Sequence, residues 1–453
     1  MMLALVLRAR FHAPNILRFS YLCVGRPEGL PRVPYPPPQG GVSYLAEKCA
    51  HSDIYICDMS TEGKFVAKDG FYIKAGEVKA AAERFKHVIP KKATDKILER
   101  LLIHQMRDKL ELSGSDGEIY ASFVMNVVPT WEVKVGVSVA VPYKPLTDFL
   151  KSLPAEAVLK CMQAHDEKGI PFMLVESDYG TQVFHGIDYY NYPHPPRFRP
   201  DNIVLMNEDA FRDMVARTIF AADDETDPNL SGVYFDFLPD RTNFVATNRA
   251  ILSMYTRTDL VFPMVKGKPK SIIVPTKALK AFMAGIQGLP RIGNVLIYPF
   301  DEYILLAHKG FFLSSKLISG QYPDYQRVIP TETPHVAIFE HDKLYKAIKR
   351  LAASINKKEV ARIEFTFSSD SAELYAPNAQ QGGGSTEKVV CNYTGDTLKV
   401  IFYADLLLSI LENIKSGRIT MRIASNIRPV IIEPEPQSLL FNMLCLIKPL
   451  AEK

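Results

Sequence analysis

Three stretches of this chain, spaced roughly 130 residues apart, carry the same succession of features, so the chain is expected to fold as three similar units. Each stretch has an amphipathic helix near its start. Val78, Ala82, Phe85 and Ile89 mark the first apolar face, Phe211, Val215 and Ile219 the second, and Leu344, Ile348, Leu351 and Ile355 the third. Steps of three and four place such residues on one side of a helix, able to cover a sheet. Strands of alternating polarity follow, each with a turn-like tag: Leu112-Ser113-Gly114-Ser115-Asp116, then Val245-Ala246-Thr247-Asn248, then Leu374-Tyr375-Ala376-Pro377-Asn378. A second helix is introduced by Val141-Pro142, by Val274-Pro275 and by Phe402-Tyr403-Ala404, where a proline's missing donor does no harm.

Proline-rich joints, Tyr192-Pro193-His194-Pro195-Pro196 and Tyr322-Pro323-Asp324-Tyr325 through Pro330 and Pro334, place boundaries near Pro200 and Thr331. Gln380 to Ser385, with three consecutive glycines, reads as a flexible hairpin tip. A length of 453 residues, beyond what one core comfortably serves, agrees with several domains.

With 54 basic against 50 acidic residues, the chain has no overall positive coat, so any contact with nucleic acid must use locally placed charge. Cys23, Cys49, Cys57, Cys161, Cys391 and Cys445 form no CxxC pair and have no histidines at zinc-ligand spacing, which fits a reduced, cytosolic compartment. No run approaches the length needed to span a bilayer. The first 27 residues lack acids and carry Arg8, Arg10, Arg18 and Arg26, a composition shared with organelle transit peptides. The preferred reading is a poorly structured leader, or an upstream stretch not normally translated with Met59 as the working start. Six prolines between Gly25 and Gly41 argue against a helix or central strand there.

The run Phe312-Leu313-Ser314-Ser315-Lys316-Leu317-Ile318-Ser319-Gly320-Gln321-Tyr322-Pro323-Asp324-Tyr325-Gln326-Arg327-Val328-Ile329-Pro330 closely resembles the signature of the bacterial DNA polymerase III beta subunits, the sliding clamps. Asp224-Glu225-Thr226 with Pro228, Leu230 and Gly232, then Val245-Ala246-Thr247 and Ile273-Val274-Pro275, follow in the family's order and spacing. The resemblance spans about Phe71 to Leu450, strongest in the second unit and weakest in the first. It implies an α+β fold of three repeated clamp domains, each with two helices packed against antiparallel sheets, and two subunits closing head to tail into a ring. The expected division is a leader over 1–68 and domains over 69–200, 201–330 and 331–453.

The implied function is a polymerase processivity factor that encircles double-stranded DNA without reading its sequence, is not an enzyme, needs no cofactor or metal, and works in the cytoplasm without membrane attachment. Its partners would be the polymerase and the clamp loader, which present short peptides, and a second copy of itself. Lys343, Lys346, Lys349 and Arg350 recur opposite the third unit's apolar face, as do Lys277 and Lys280 in the second. Lys79, Arg84, Lys144 and Lys151 are the first unit's candidates for facing DNA, with Lys86 and Lys91 beside them. On the residues alone such runs are solvated helix faces; the resemblance turns them toward a channel.

The resemblance also implies an apolar partner-peptide pocket formed by Leu230, Thr247, Leu252, Pro323, Arg327 and Val328, completed near the C-terminus by Met443, Leu444 and Leu446. Taken singly, each leucine is most simply core packing. After Thr247 the family's common Asp-Gly-His-Arg is replaced by Asn248-Arg249-Ala250-Ile251. At the ring joint Phe184 falls on one side, while the family's bulky pair on the other is replaced by Ala353 and Ser354.

Catalytic readings find little support. No HExxH, GxSxG or GxxxxGK[ST] is present. Asp223-Asp224-Glu225 could ligate magnesium in a nuclease, and His185, His194 and His308 stand alone. A clamp-like interaction module that does not load on DNA is the other alternative.

Overall fold

A computed structural model describes residues 70–130, 136–195, 203–223, 226–260, 271–355, 361–378 and 383–451, all in one compact unit. The expected leader, Cys23, Cys49, Cys57, the Asp224-Glu225 pair and the tip residues Gln380 to Gly382 lie outside the described residues.

The first repeat runs β1 (Gly70–Lys74), α1 (Ala75–Glu83), β2 (Arg100–Met106), β3 (Lys109–Ser115), β4 (Ile119–Asn126), the short β5 (Val128–Pro129), β6 (Ser138–Pro142), α2 (Tyr143–Ser152), β7 (Val158–His165), β8 (Pro171–Ser177), β9 (Gly180–His185) and the short β10 (Ile187–Asp188). The second runs β11 (Val204–Asn207), α3 (Glu208–Thr218), β12 (Gly232–Phe237), β13 (Thr242–Thr247), β14 (Ile251–Arg257), β15 (Ile272–Pro275), α4 (Thr276–Gly285), β16 (Asn294–Pro299), β17 (Tyr303–His308) and β18 (Phe311–Lys316). The third runs β19 (His335–Glu340), α5 (His341–Ser354), β20 (Arg362–Ser368), β21 (Ser371–Asn378), β22 (Gly383–Thr394), β23 (Leu398–Tyr403), α6 (Ala404–Asn413), β24 (Arg418–Ile423), β25 (Val430–Glu435) and β26 (Phe441–Ile447).

The three successions match element for element once β5 and β10 are set aside. Every repeat opens on a strand that leads directly into its helix, a strand the apolar pattern alone did not separate from the helix. In the first repeat α1 stops at Glu83, so Phe85 and Ile89 belong to the turns that follow; both are still buried with Val78 and Ala82. The expected turn tags are largely strand: β3, β13 and β21 contain most of them, and Gly383 to Ser385 likewise begin β22.

Among the described residues all strand pairs are antiparallel, in sheets of five, nine and twelve strands ordered β5-β1-β7-β8-β9, β10-β6-β2-β3-β4-β18-β17-β16-β11 and β15-β12-β13-β14-β26-β25-β24-β19-β22-β21-β20-β23. The two larger sheets cross repeat boundaries. β4 pairs with β18, setting Phe123 opposite Phe311, and β14 pairs with β26, setting Tyr255 opposite Met443. A strand pair satisfies the backbone groups that an open edge would leave bare, so each seam is both a domain boundary and a continuous sheet.

One apolar core lies between the helices and sheet faces of all three repeats. Cys161, Cys391 and Cys445 are free thiols buried in it. Burial pushes Cys161 and Cys445 up to about 12 and Cys391 to about 11, which keeps them protonated and unreactive. Among the described residues no helix is long and apolar enough to cross a membrane.

Candidate functional site

The basic residues are unevenly spread over the six helices. α5 carries Lys343, Lys346, Lys349 and Arg350 on one exposed side, α4 carries exposed Lys277 and Lys280, and α2 carries Lys144 and Lys151. α6, by contrast, has Asp405 and Glu412 and no cation. Most of the lysines rest against neighbouring carboxylates: Lys144 on Asp148 at 2.6 Å, Lys151 on the same group at 3.7 Å, Lys343 on Glu340 at 2.9 Å and Lys346 on Asp342 at 2.5 Å. These partners hold Asp148 and Asp342 below the usual carboxylate range. Solvent screens such exposed pairs so that they contribute little, and a phosphate can replace the carboxylate readily. Lys349 lies over the Tyr345 ring at 5.5 Å, and Lys79 is half-buried on α1.

Two of the expected DNA-facing cations contact a neighbouring repeat. Arg84 donates from Nη1 to the carbonyl oxygens of Gly285 (2.5 Å) and Gln287 (3.0 Å) at the end of α4, and its guanidinium sits 4.6 Å from the Phe123 ring centre. Arg84 is therefore corrected from a DNA contact to a tie across the first seam, its charge half-buried and its Nη1 group spent on carbonyls at the end of a helix. Lys277 forms an ion pair with Asp116 of the first repeat while remaining more than half exposed. Gly285 is required where it stands, because a Cβ there would lie 2.1 Å from the Phe311 ring.

The proposed peptide pocket lies on the sheet face opposite the helices. Leu230, Leu252 and Leu446 join Val245, Ile273, Tyr322, Tyr325 and Ile431 in a second apolar cluster, with Leu444 and Met254 packed on it. The register sets Leu252 opposite Leu446 and Met254 opposite Leu444. Met443 is a correction: one residue out of step on β26, it points into the helix-side core with Cys445 and Ile447, its sulfur 3.6 Å from Arg217 Nη1. Strand alternation forces that split, because successive side chains take opposite faces.

Leu230 is wholly buried and Leu252 and Leu446 nearly so, forming a floor, while Pro323, Arg327 and Val328 stand exposed above it, Val328 at 47%. Thr247 is spent locally, donating to Ile251 O at 2.6 Å and accepting from Arg249 N at 3.0 Å. The departing segment makes an Asn248-capped turn with Arg249 at φ +70°, its guanidinium on Asp227 at 2.5 Å.

Residue-by-residue analogy missed Val245, Ile273 and Ile431 in this cluster; the two-residue offset of Val245 from Thr247 carried a signal, whereas Ile273 and Ile431 enter through strand pairing, opposite Tyr234 and Leu446. The Tyr325 hydroxyl donates to Asp236 (2.6 Å) and accepts from Asn243 (2.8 Å), fixing the Tyr322 to Val328 segment to β12 and β13; burial pushes that phenol up to about 12. Across the same segment an open cleft of about 770 Å³ is lined by Asp236, Asp301, Glu302 and Asp324 among others.

The histidines are structural in their surroundings. His308 is buried between Asn294 O and Glu208, 3.1 Å from each, and Glu208 also accepts from Arg212. His194 packs with a tilted ring against Tyr189, and His185 likewise against Phe172. Among the described residues no group of three or more His, Cys, Asp or Glu is arranged to hold a metal ion.

Among the described residues, two of the free strand edges belong to the first and third repeats. β9 ends the five-stranded sheet, and the first half of β22, from Gly383 to Val390, pairs on one side only, with β21. Phe184 on β9 is buried against Phe149 of α2, ring centres 5.7 Å apart, as Phe311 on β18 packs on Phe282 of α4 at 5.9 Å. Ala353 and Ser354 end α5, where the Ser354 hydroxyl donates to Leu351 O.

Residues 205–324 match the family model of the DNA polymerase III beta subunit central domain, and residues 326–444 match its C-terminal domain, together just over half of the chain. The beta sliding clamp of Lactococcus lactis is 23% identical over 375 residues, 80% of this chain and 95% of that protein. The beta sliding clamp of Synechococcus elongatus is 24% identical over 302 residues, 66% of this chain and 78% of the relative. Among solved structures, the DNA polymerase sliding clamp from Bacillus subtilis superposes with a TM-score of 0.77 at 19% identity, covering 86% of this chain and all of that one. The DNA polymerase III subunit beta from Pseudomonas aeruginosa gives 0.75 at 20%, covering 84% and 100%.

Proposed function

This chain belongs to the DNA polymerase III beta subunit family, a non-catalytic processivity factor, and from that premise we propose that two copies close a ring around duplex DNA and tether the polymerase to it. The domains are taken as 69–200, 201–330 and 331–453, and the place of action as the cytoplasm.

One observation carries the ring reading. The fourth strand of the first repeat pairs with the last strand of the second at β4·β18, and the same positions meet at β14·β26. Continuing that rule, the fourth strand of the third repeat, β22, requires a last strand from a following first repeat, and the free β9 of a second copy supplies it. The two free edges are thus complementary and head to tail, an arrangement that closes rather than stacks when its rotation allows.

Inside such a ring the DNA-facing residues are Lys79, Lys144, Lys151, Lys280, Lys343, Lys346 and Lys349, with Lys277 available beside Asp116. They attract phosphates without touching base edges, which lets the duplex glide. On the outer face Leu230, Leu252, Leu444 and Leu446 form the apolar floor for a peptide anchor, with Thr247, Pro323, Arg327 and Val328 at the mouth. A concave apolar patch rimmed by one cation suits a short hydrophobic segment from the polymerase or loader.

Retention on circular DNA tests the reading: protein loaded on a nicked circle should stay bound through gel filtration and leave once a single double-strand cut linearises the circle. Release at the same rate from circles and linear DNA would sink it, and leave an interaction module that binds peptides without encircling DNA.

A further inference from the structure

Three arginines stand 133 residues apart, Arg84, Arg217 and Arg350, each nine positions beyond the first residue of its repeat's leading helix. Each meets the same position on the fourth strand of its repeat. That position is Phe123 on β4, Tyr255 on β14 and Glu387 on β22, identified by their partners Leu112, Phe244 and Leu374 one strand over. Arg84 lies over Phe123 at 4.6 Å and Arg217 over Tyr255 at 5.8 Å. Arg350 grips Glu387 through Nε at 2.6 Å and Nη2 at 2.7 Å.

The first two then reach across a seam. Arg84 donates to the end of α4, and Arg217 meets Met443 Sδ at 3.6 Å and the Phe441 ring at 5.9 Å on β26. Arg350 lies beside the edge of β22 that has no strand partner among the described residues of its own chain, with its side chain 60% exposed.

We propose that Arg350 is the closing-seam counterpart of Arg84 and Arg217: held in direction by Glu387, it crosses to the second copy and donates to the carbonyls that end its helix α2. The acceptor matching Gly285, tenth residue of α4, is Ser152, tenth residue of α2. At the other two seams the arginine packs on an aromatic ring with its charge at least half-buried, and Arg217 also has Asp213 at 3.6 Å; at the closing seam it is held by a charged pair at a solvent-accessible edge, where salt screens most strongly. A bidentate carboxylate clamp also sets the direction of the guanidinium, which a ring face does less strictly. The closing seam is therefore the one whose arginine contact is most sensitive to salt.

The inference rests on the ring reading, and sedimentation equilibrium of the full chain separates the two. Wild type, Arg350→Ala, Arg350→Lys, Glu387→Phe and the control Lys349→Ala are compared at 50 mM and 500 mM NaCl, with thermal melts to establish folding. A wild type that remains monomeric up to 100 µM overturns the ring and this inference together. If wild type dimerises, Arg350→Ala is expected to weaken the dimer at least tenfold, Arg350→Lys nearly as much because an ammonium has no planar fork to be set in direction by the bidentate clamp of Glu387, and Lys349→Ala by less than twofold. Glu387→Phe, which restores the ring of the other seams, is expected to keep the dimer and flatten its salt dependence. A wild-type dimer whose constant is unchanged by Arg350→Ala, or a Glu387→Phe chain with wild-type salt dependence, overturns the assignment of Arg350 while leaving the ring intact. Should Arg350→Ala fail to fold, Arg350→Lys decides by the same criterion.

Discussion

Met443 and Leu444 are neighbours in sequence and separated by a sheet in space, and that one step decides what each can do. Truncating Met443 opens a cavity in the helix-side core, so Met443→Ala should cost about 2–5 kcal/mol of stability and leave the affinity for an anchor peptide within twofold. Val328, half-exposed and assigned by the proposed function to the pocket mouth, should behave oppositely. Val328→Asp is expected to lower peptide affinity at least tenfold, measured by fluorescence anisotropy, with an unchanged melt; equal losses of binding in both variants would remove the division of faces. Glu111 shows the other consequence of burial. Desolvation raises its carboxyl above the ordinary value, and the Ser113 hydroxyl, donating to it at 3.5 Å, with the nearby Ser122 hydroxyl only partly offsets this. A carboxyl that binds its proton more tightly when folded costs stability once the pH passes the unfolded value near ~4.3, and that cost is complete above the raised folded value. Glu111→Gln should therefore raise the melting temperature at pH 8 by about 1–4 °C, with the gain vanishing as the pH falls toward 4.

Helices and strands were unequally legible. The helix faces could be read from their apolar spacing, since Phe211 and Val215, or Leu344, Ile348 and Leu351, are buried where the period of 3.6 places them. What each charged residue on the other face touches could not be read. Arg84 and Lys79 lie on or at the end of the same helix, yet only Arg84 reaches α4, because that depends on how two repeats meet. The strands reversed the difficulty: tags such as Leu112 to Asp116 contain glycine and serine, which signal turns locally, but β2 and β4 on either side hold the segment in a ladder. Of the pocket residues taken from the resemblance, Leu230, Leu252, Leu444 and Leu446 gather in one cluster, while Met443 falls on the other face of β26. The uneven charge of the helices has its own consequence. Because α6 carries Asp405 and Glu412 and no cation while α5 carries four cations, DNA attraction should be concentrated on α5 in the third repeat. Replacing Lys346 and Lys349 with glutamine should reduce the slope of log affinity against log salt by about 0.9 for each phosphate no longer neutralised. Removal of Asp405 should change the affinity in the opposite direction, and an unchanged slope in the double lysine variant would place the duplex elsewhere.

At the scale of the molecule, the register of the two built seams decides whether the free edges of β9 and β22 can meet those of a second copy, so a small error at one seam is carried to the closing joint. The first seam is where this lever is longest to test, because Gly285, Phe311, Phe85 and Phe282 meet there under Arg84 with no spare room. A methyl at Gly285 would lie 2.1 Å from the Phe311 ring, and the ring is enclosed by its neighbours, so β18 or α4 has to shift. Overpacking of this kind costs about 1–3 kcal/mol, too little to unfold the chain. Its larger effect falls on assembly: Gly285→Ala should leave secondary structure by circular dichroism unchanged, lower the melting temperature by a few degrees, and weaken the dimer by an order of magnitude although the substitution lies far along the chain from both free edges. A variant that melts early but dimerises as tightly as wild type would show that the seams flex independently and that closure is set by the β9 and β22 edges alone.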